Sequence, residues 1–251
     1  MRPLEGKVAI VTGAGGGIGG AVTRRFLAAG AHVLAVDRAA DRLPAAADDV
    51  WPLPVDVAET EGCAAAVDLA LGRFGALHVL VNAAGGSGRR FGDGPVDACT
   101  DEGWDAVLDG NLRSIFRMCR AALPALLRAG GGSIVNVASV LGLVGGGEAF
   151  ATHAYAASKA GVVGLSRAMA TYYAPQRIRV NALCPGLTDT PMAARALADA
   201  ATVAVVARRQ PLLGGAVSAD QVAAAAEFLA SDASTAITGI VLPVDGGWTA
   251  Q

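Results

Sequence analysis

Seven short runs rich in Val, Ile and Leu, most of them separated by Ala- and Leu-rich stretches of helical period, leave this chain few folds to choose from. They fall at residues 7–12, 32–37, 50–55, 78–83, 133–138, 178–183 and 240–244. A strand that reaches its parallel neighbour through a helix is covered on both faces, so it shows a continuous apolar run rather than an alternating one. The expectation is an α/β fold, a doubly wound sheet of about seven parallel strands with helices on both faces. A hydrophobic content of 53% against 17% charged residues suits such a sheet. No repeat, charge run or Pro/Ser-rich linker divides the 251 residues, so residues 1–251 are expected to form one domain. The stretch between Pro185 and Pro211 is the one long segment without a strand. With Thr188, Pro191 and an Ala-rich run ending in Arg208 and Arg209, it has the form of an inserted lid at about residues 186–212, or of a plain pair of surface helices.

Charge and hydropathy exclude several classes of partner. Twenty basic against 22 acidic side chains give a formal charge of -2, without the basic excess that phosphate backbones require, so no nucleic acid is expected. No stretch of about 18 residues stays apolar without charges or glycines, so no membrane span is expected either. The opening, Met1 to Gly6, carries Arg2 and Glu5 and runs into an apolar strand without the pattern of a signal peptide, which points to the cytoplasm. Cys63, Cys99, Cys119 and Cys184 form no CxxC pair and are expected to be buried small hydrophobes. His32, His78 and His153 have no carboxylate or Cys cluster at ligand spacing, and no metal is expected.

The first strand runs into Thr12-Gly13-Ala14-Gly15-Gly16-Gly17-Ile18-Gly19 and then a helical stretch with Val22, Phe26 and Leu27 on its inward face. Glycines at such a turn let the backbone bend sharply and let a pyrophosphate approach the free N–H groups at a helix start. Loop glycines with no ligand would give the same letters; the strand, turn and helix in order favour a dinucleotide site. The second strand ends in Asp37, 18 positions after Gly19, where a carboxylate can accept hydrogen bonds from both adenosine ribose hydroxyls. Asp37 would repel a 2'-phosphate, and Gly16 offers no basic side chain, so NAD(H) is favoured over NADP(H). Arg38 keeps NADP(H) open, since its guanidinium could pair with a phosphate.

Tyr155 and Lys159 stand four apart in an Ala-rich run and share one face of a helix. A phenol with an ordinary pKa near 10 exchanges protons poorly at neutral pH, and a fixed ammonium nearby favours the phenolate. The pair alone also fits a surface contact between neighbouring helical turns. Ser139 at the end of the fifth run, and the glycine motif ahead of both, change the balance.

Taken together these motifs resemble those of the short-chain dehydrogenase/reductase family along essentially the whole chain. Thr12 to Gly19 is similar to its glycine motif, Asp56-Val57 to its adenine-contacting pair, and Asn82-Ala83-Ala84-Gly85 to the motif after its fourth strand. Asn111, Ser139, Tyr155 and Lys159 match its catalytic tetrad in order, and Pro185-Gly186 with Thr188 resembles its nicotinamide-holding segment. The resemblance implies a Rossmann-type fold and interconversion of a small-molecule alcohol and ketone. Tyr155 would exchange the proton and Ser139 would hold the same oxygen. Lys159 would bind the nicotinamide ribose and lower the Tyr155 pKa, and Asn111 would hold a water that relays protons. It also implies a homotetramer. An NADPH-dependent 3-oxoacyl thioester reductase fits the general motif set, with Asp37 against it, and a non-catalytic dinucleotide-binding sensor is the alternative from another class.

Two departures stand out. Ala83 replaces the family's second Asn, which should alter loop packing more than chemistry. Ser139 and Tyr155 are 16 positions apart, a longer interval than usual, and Gly145 to Phe150 looks like a lengthened loop beside the substrate. Folded inward, it would bring Glu148, Phe150 or His153 to the substrate; folded outward, it would leave them in solvent. Arg89 and Arg90 should lie near the pocket mouth, where they would attract an anionic or polyhydroxylated substrate or simply be surface arginines.

Overall fold

In the computed structural model, which describes residues 2–251, the seven apolar runs form one parallel sheet. Its strands are β1 (Val8–Thr12), β2 (His32–Asp37), β3 (Val50–Pro54), β4 (Val79–Asn82), β5 (Gly132–Val137), β6 (Ile178–Pro185) and, last in the chain, β9 (Val241–Val244). The spatial order is β3-β2-β1-β4-β5-β6-β9. Strand ends match expectation to within two residues. The largest difference is at β6, which continues through Cys184 and Pro185 because both pair with β9.

Period-two alternation along the strands divides the core into two layers. Ile10, Leu34, Leu80, Ile134 and Val180 point to one face. They pack there with residues of α2 (Thr60–Phe74), α4 (Ser114–Arg128) and α5 (His153–Tyr173). Ala9, Val11, Val33, Val79, Val81 and Val135 point to the other face, against α1 (Gly17–Ala28) and α8 (Ala219–Ala230). Helices on both faces bury the central strands, while the edge strands β3 and β9 stay partly exposed.

The strand order reverses between β1 and β4, and in an open parallel sheet the crevice beyond the strand ends at that point receives ligands. Thr12 closes the base of this crevice: its buried Oγ1 accepts the N–H groups of Ala83 and Ala84, each at 3.2 Å. Gly13 follows in the left-handed region (φ 69°), and a Cβ there would stand 2.8 Å from the Ala83 backbone. The glycine is required both by its conformation and by this approach.

Segment 186–212 is not strandless as expected. Thr188–Asp189 forms the short strand β7, paired with β8 (Val217–Ser218), and this ties the segment's start to the entry of α8. The rest is helical, as α6 (Ala194–Leu197) and α7 (Ala200–Arg209). A two-residue pairing carries no hydrophobic period, so no sequence signal marked it. Among the described residues no helix is long and apolar enough to cross a membrane.

Candidate active site

The glycine turn delivers α1 with an open N-terminus. Gly16 caps the helix without any side-chain hydrogen bond, and the first turn has no acidic residue, so its N–H groups and dipole face the crevice unopposed. A Cβ on Gly19 would lie 2.1 Å from the Gly13 carbonyl, so the turn can be this tight only with glycine. Gly17 is instead bare toward the 186–212 segment, where its Cβ would overlap the Thr190 side chain. Asp37 stands at the end of β2, its Oδ2 accepting the Gly15 N–H at 3.1 Å and its Oδ1 the Ala39 N–H at 2.9 Å. Each oxygen keeps a further lone pair for a ribose hydroxyl. Arg38 points to Asp56, at 3.8 Å, rather than across Asp37.

Beyond the sheet, one cavity of about 310 Å³ is lined by Ser139, Tyr155 and Lys159 together with Ile18, Ala83, Gly85, Gly186 and Thr188. Lys159 is almost fully buried, and its Nζ donates to the Val137 carbonyl at 2.9 Å while lying over the Tyr155 ring. Burial pushes its pKa down to about 8, against a smaller upward pull from Cys184. Burial also raises the Tyr155 phenol above its usual value, with the Ser139 side chain opposing. The lowering of Tyr155 that the resemblance implies is not what dominates here: burial outweighs the Ser139 hydrogen bond. Ser139 Oγ accepts the Leu141 N–H at 3.1 Å, which leaves its own hydrogen to donate into the cavity.

Asn111 lies in a π-helical turn, Asp109–Arg113, between α3 (Asp101–Leu108) and α4. Single π turns often mark functional positions because they redirect one side chain out of the helical row. Its Oδ1 accepts the Gly86 N–H at 2.9 Å and its Nδ2 donates to the Gly86 carbonyl at 3.0 Å, clamping the loop after β4. Gly85 passes so close that a Cβ would overlap Asn111 Oδ1 and come within 3.7 Å of Lys159 Nζ.

The side chains of three residues expected at the cofactor are wholly or partly engaged within the protein. The Asn82 side chain is buried and donates to Asn136 Oδ1 at 2.8 Å, while Asn136 in turn donates to Ser166 on α5. Asn82 therefore joins two strands to a helix rather than facing the crevice. The Val57 side chain is packed in the core, and Asp56 Oδ1 accepts the Ala58 N–H. Of these two, only backbone atoms and the outer Asp56 oxygen remain for an adenine.

The lengthened loop divides its residues. Ala149 and Phe150 line the cavity, with Phe150 tilted against Trp248 at 5.2 Å between ring centroids. Glu148 stays exposed, and His153 Nδ1 accepts the Val96 N–H. Arg89 lines the cavity, whereas Arg90 lies over the Phe91 ring at 4.5 Å and does not.

Sequence reasoning missed five contributors. Trp248 closes the cavity floor, with its indole N–H buried and unpartnered. Cys184 is a buried neighbour of Lys159, its thiol pushed up to about 11 by burial. Arg195 and Asp199 reach the cavity from the 186–212 segment. Outside the cavity lining, Asp93 caps α5, its carboxylate accepting the N–H groups of Ala154 and Tyr155 at 3.0 and 3.2 Å. The capping residue next to α5 in the chain, Thr152, makes no such bond, so Asp93 fixes the helix start that carries Tyr155. The turn residues Gly92-Asp93-Gly94 were the only local hint.

A family model described as enoyl-(acyl carrier protein) reductase matches residues 13–249. The cis-4-hydroxycyclohexanecarboxylate dehydrogenase of Sinomonas cyclohexanicum is 40% identical, with 97% of each chain covered. A 3-oxoacyl-(acyl-carrier-protein) reductase of Thermotoga maritima is 37% identical over 97% of this chain and 98% of its own. A crystal structure of a short-chain dehydrogenase/reductase from Burkholderia xenovorans superposes with a TM-score of 0.88 at 36% identity, covering 100% of this chain and 99% of that one. Fold, crevice and relatives agree: the chain belongs to the short-chain dehydrogenase/reductase family of oxidoreductases.

Proposed function

We propose that this protein is an NAD(H)-dependent oxidoreductase that interconverts a secondary alcohol and a ketone by hydride transfer, with Tyr155 as general acid/base. The observation that carries this reading is the single cavity that gathers Ser139, Tyr155 and Lys159 beside the open N-terminus of α1. The bare turn at Gly13 and Gly19 and the free first-turn N–H groups fit a dinucleotide pyrophosphate, and Asp37 fits the adenosine ribose. The bound dinucleotide supplies the hydride acceptor or donor. Tyr155 Oη holds the proton passed to or from the substrate oxygen, and Ser139 Oγ donates to the same oxygen. Lys159 Nζ, anchored on Val137, is placed beside Gly85 to bind a ribose hydroxyl. Pro185, Gly186 and Thr188 border the nicotinamide end of the cavity. Asn111 acts first by clamping Gly86, which keeps the Gly85 backbone against Lys159.

The test is a screen of secondary alcohols and ketones with both nucleotides, followed by the absorbance of reduced nicotinamide. Nucleotide-dependent turnover of at least one pair is expected, and none with any would refute the reading. The Thermotoga maritima relative supports NADPH-dependent reduction of a 3-oxoacyl thioester as a second reading. Asp37 opposes it, because a 2'-phosphate would be set against a carboxylate, and Arg38 is already turned to Asp56. Replacing Asp37 by Ala is expected to raise the NADP(H)-to-NAD(H) ratio of kcat/KM at least about tenfold through loss of that repulsion. An unchanged ratio would count against NAD(H) preference.

A further inference from the structure

Two guanidiniums reach the mouth of the active-site cavity from separate segments, Arg89 from the turn after β4 and Arg195 from α6. Among the described residues neither has a carboxylate within ion-pair distance, although six other ion pairs form. The two carboxylates nearby are committed elsewhere. Asp93 holds the first N–H groups of α5, and Asp199 accepts from both the backbone and the hydroxyl of Thr202. Partial burial lowers the Arg89 pKa, the repulsion of Arg195 adds to it, and the carboxylate of Asp93 opposes both. Two exposed cations that line one cavity, neither in an ion pair and both beside carboxylates already engaged by N–H or O–H donors, suit an anionic group on a ligand.

The backbone makes this placement deliberate rather than incidental. Gly88 is buried so tightly that a Cβ would collide with Val107, and its carbonyl accepts the N–H groups of Phe91 and Asp93 at 2.7 and 3.1 Å. Arg89 is thereby turned inward and Arg90 outward onto Phe91. The remaining lining near Ser139 and Tyr155 is largely apolar, with Leu141, Phe150 and Trp248. The one cavity therefore combines two guanidiniums, apolar walls and the hydroxyl groups of Ser139 and Tyr155.

We infer that the substrate carries an oxyanion, a carboxylate or sulfonate, which Arg89 and Arg195 bind together while its apolar body places the carbinol against Ser139 and Tyr155. The position of the carbinol rests on the oxidoreductase reading above; the anion site stands on the two arginines alone. A planar guanidinium meets either oxyanion with two parallel hydrogen bonds. Because one arginine belongs to the body and the other to the 186–212 segment, the same anion would draw the segment onto the cavity.

Calorimetric titration of the NAD+-loaded protein tests this with three ligands that cannot react: cyclohexanecarboxylate, cyclohexanesulfonate and cyclohexanecarboxamide. At least one anion should bind about 10- to 100-fold tighter than the amide, the range of charge-assisted hydrogen bonds. Whichever of the two binds tighter identifies the oxyanion. Arg89→Ala and Arg195→Ala should each cut that preference to about twofold or less, while Arg90→Ala should keep it. Equal binding of anions and amide, or a preference that survives in both variants, overturns the inference. An anion preference in a protein that turns over no alcohol would sink the oxidoreductase reading and leave the anion site standing. Turnover of cyclohexanol without any anion preference would do the reverse.

Discussion

Tyr155→Phe is expected to lower kcat by about 10²- to 10⁴-fold while changing the dissociation constant of NADH by less than about twofold. The change removes one oxygen and keeps the ring, whose face packs against the Lys159 ammonium. The cofactor contacts proposed for α1, Asp37 and the segment around Gly186 are untouched. Stopped-flow turnover beside nucleotide fluorescence titration separates the two effects. A parallel loss of NADH affinity would mean that Tyr155 acts by holding the nucleotide, and retained turnover would remove it from the chemistry altogether.

Lys159→Met should abolish turnover to a similar degree and yet stabilise the fold. In the unfolded chain this lysine keeps its proton up to about pH 10.5, whereas in the folded protein burial brings its pKa down to about 8. The folded state therefore binds fewer protons between those values, and stability rises with pH across that window. Below pH 8 the buried ammonium costs the fold its full penalty, about 3 kcal/mol for a gap of this size. Met fills a similar volume without the charge, at the loss of one hydrogen bond to Val137. A net gain of about 2 kcal/mol at neutral pH should raise Tm by roughly 4–8 °C in a chain of this length. Thermal unfolding of both proteins at pH 7 checks it; a lower Tm in the variant would show that the ammonium is better compensated than its single hydrogen bond implies. The expected combination, more stable and inactive, is the signature of a residue retained for function at the expense of stability.

The sheet and its two faces were legible because burial on both sides forces runs rich in Val, Ile and Leu, which stay recognisable in spite of the prolines of β3 and of Asn136, Arg179 and Asn181 in β5 and β6. The glycine turn was legible for a related reason: at Gly13 and Gly19 the backbone approaches so closely that no other residue fits. Tyr155 and Lys159 share a helix, so their spacing carried their geometry, and the structure brings Ser139 to the same cavity. What was not legible depended on distant partners. Asn82 looked like part of a cofactor loop, yet its side chain turns inward to Asn136 and Ser166, residues from elements far along the chain. Asp93 caps a helix that begins some sixty residues later, a relation no local pattern encodes. Between Arg89 and Arg90 nothing in the sequence decides which faces the cavity; the buried Gly88 against Val107 decides it. In the loop before α5, Phe150 turns inward because Trp248, near the other end of the chain, offers it an aromatic neighbour.

The most direct measurement is a crystal structure with NAD+ and a secondary alcohol, or with NADH and its ketone, bound together. Tyr155 Oη should lie about 2.6–3.2 Å from the substrate oxygen, with Ser139 Oγ on that same atom and the carbon it belongs to facing the nicotinamide. A substrate oxygen held elsewhere in the cavity, with the Tyr155 hydroxyl out of hydrogen-bond reach, would contradict the assignment of proton transfer to this residue.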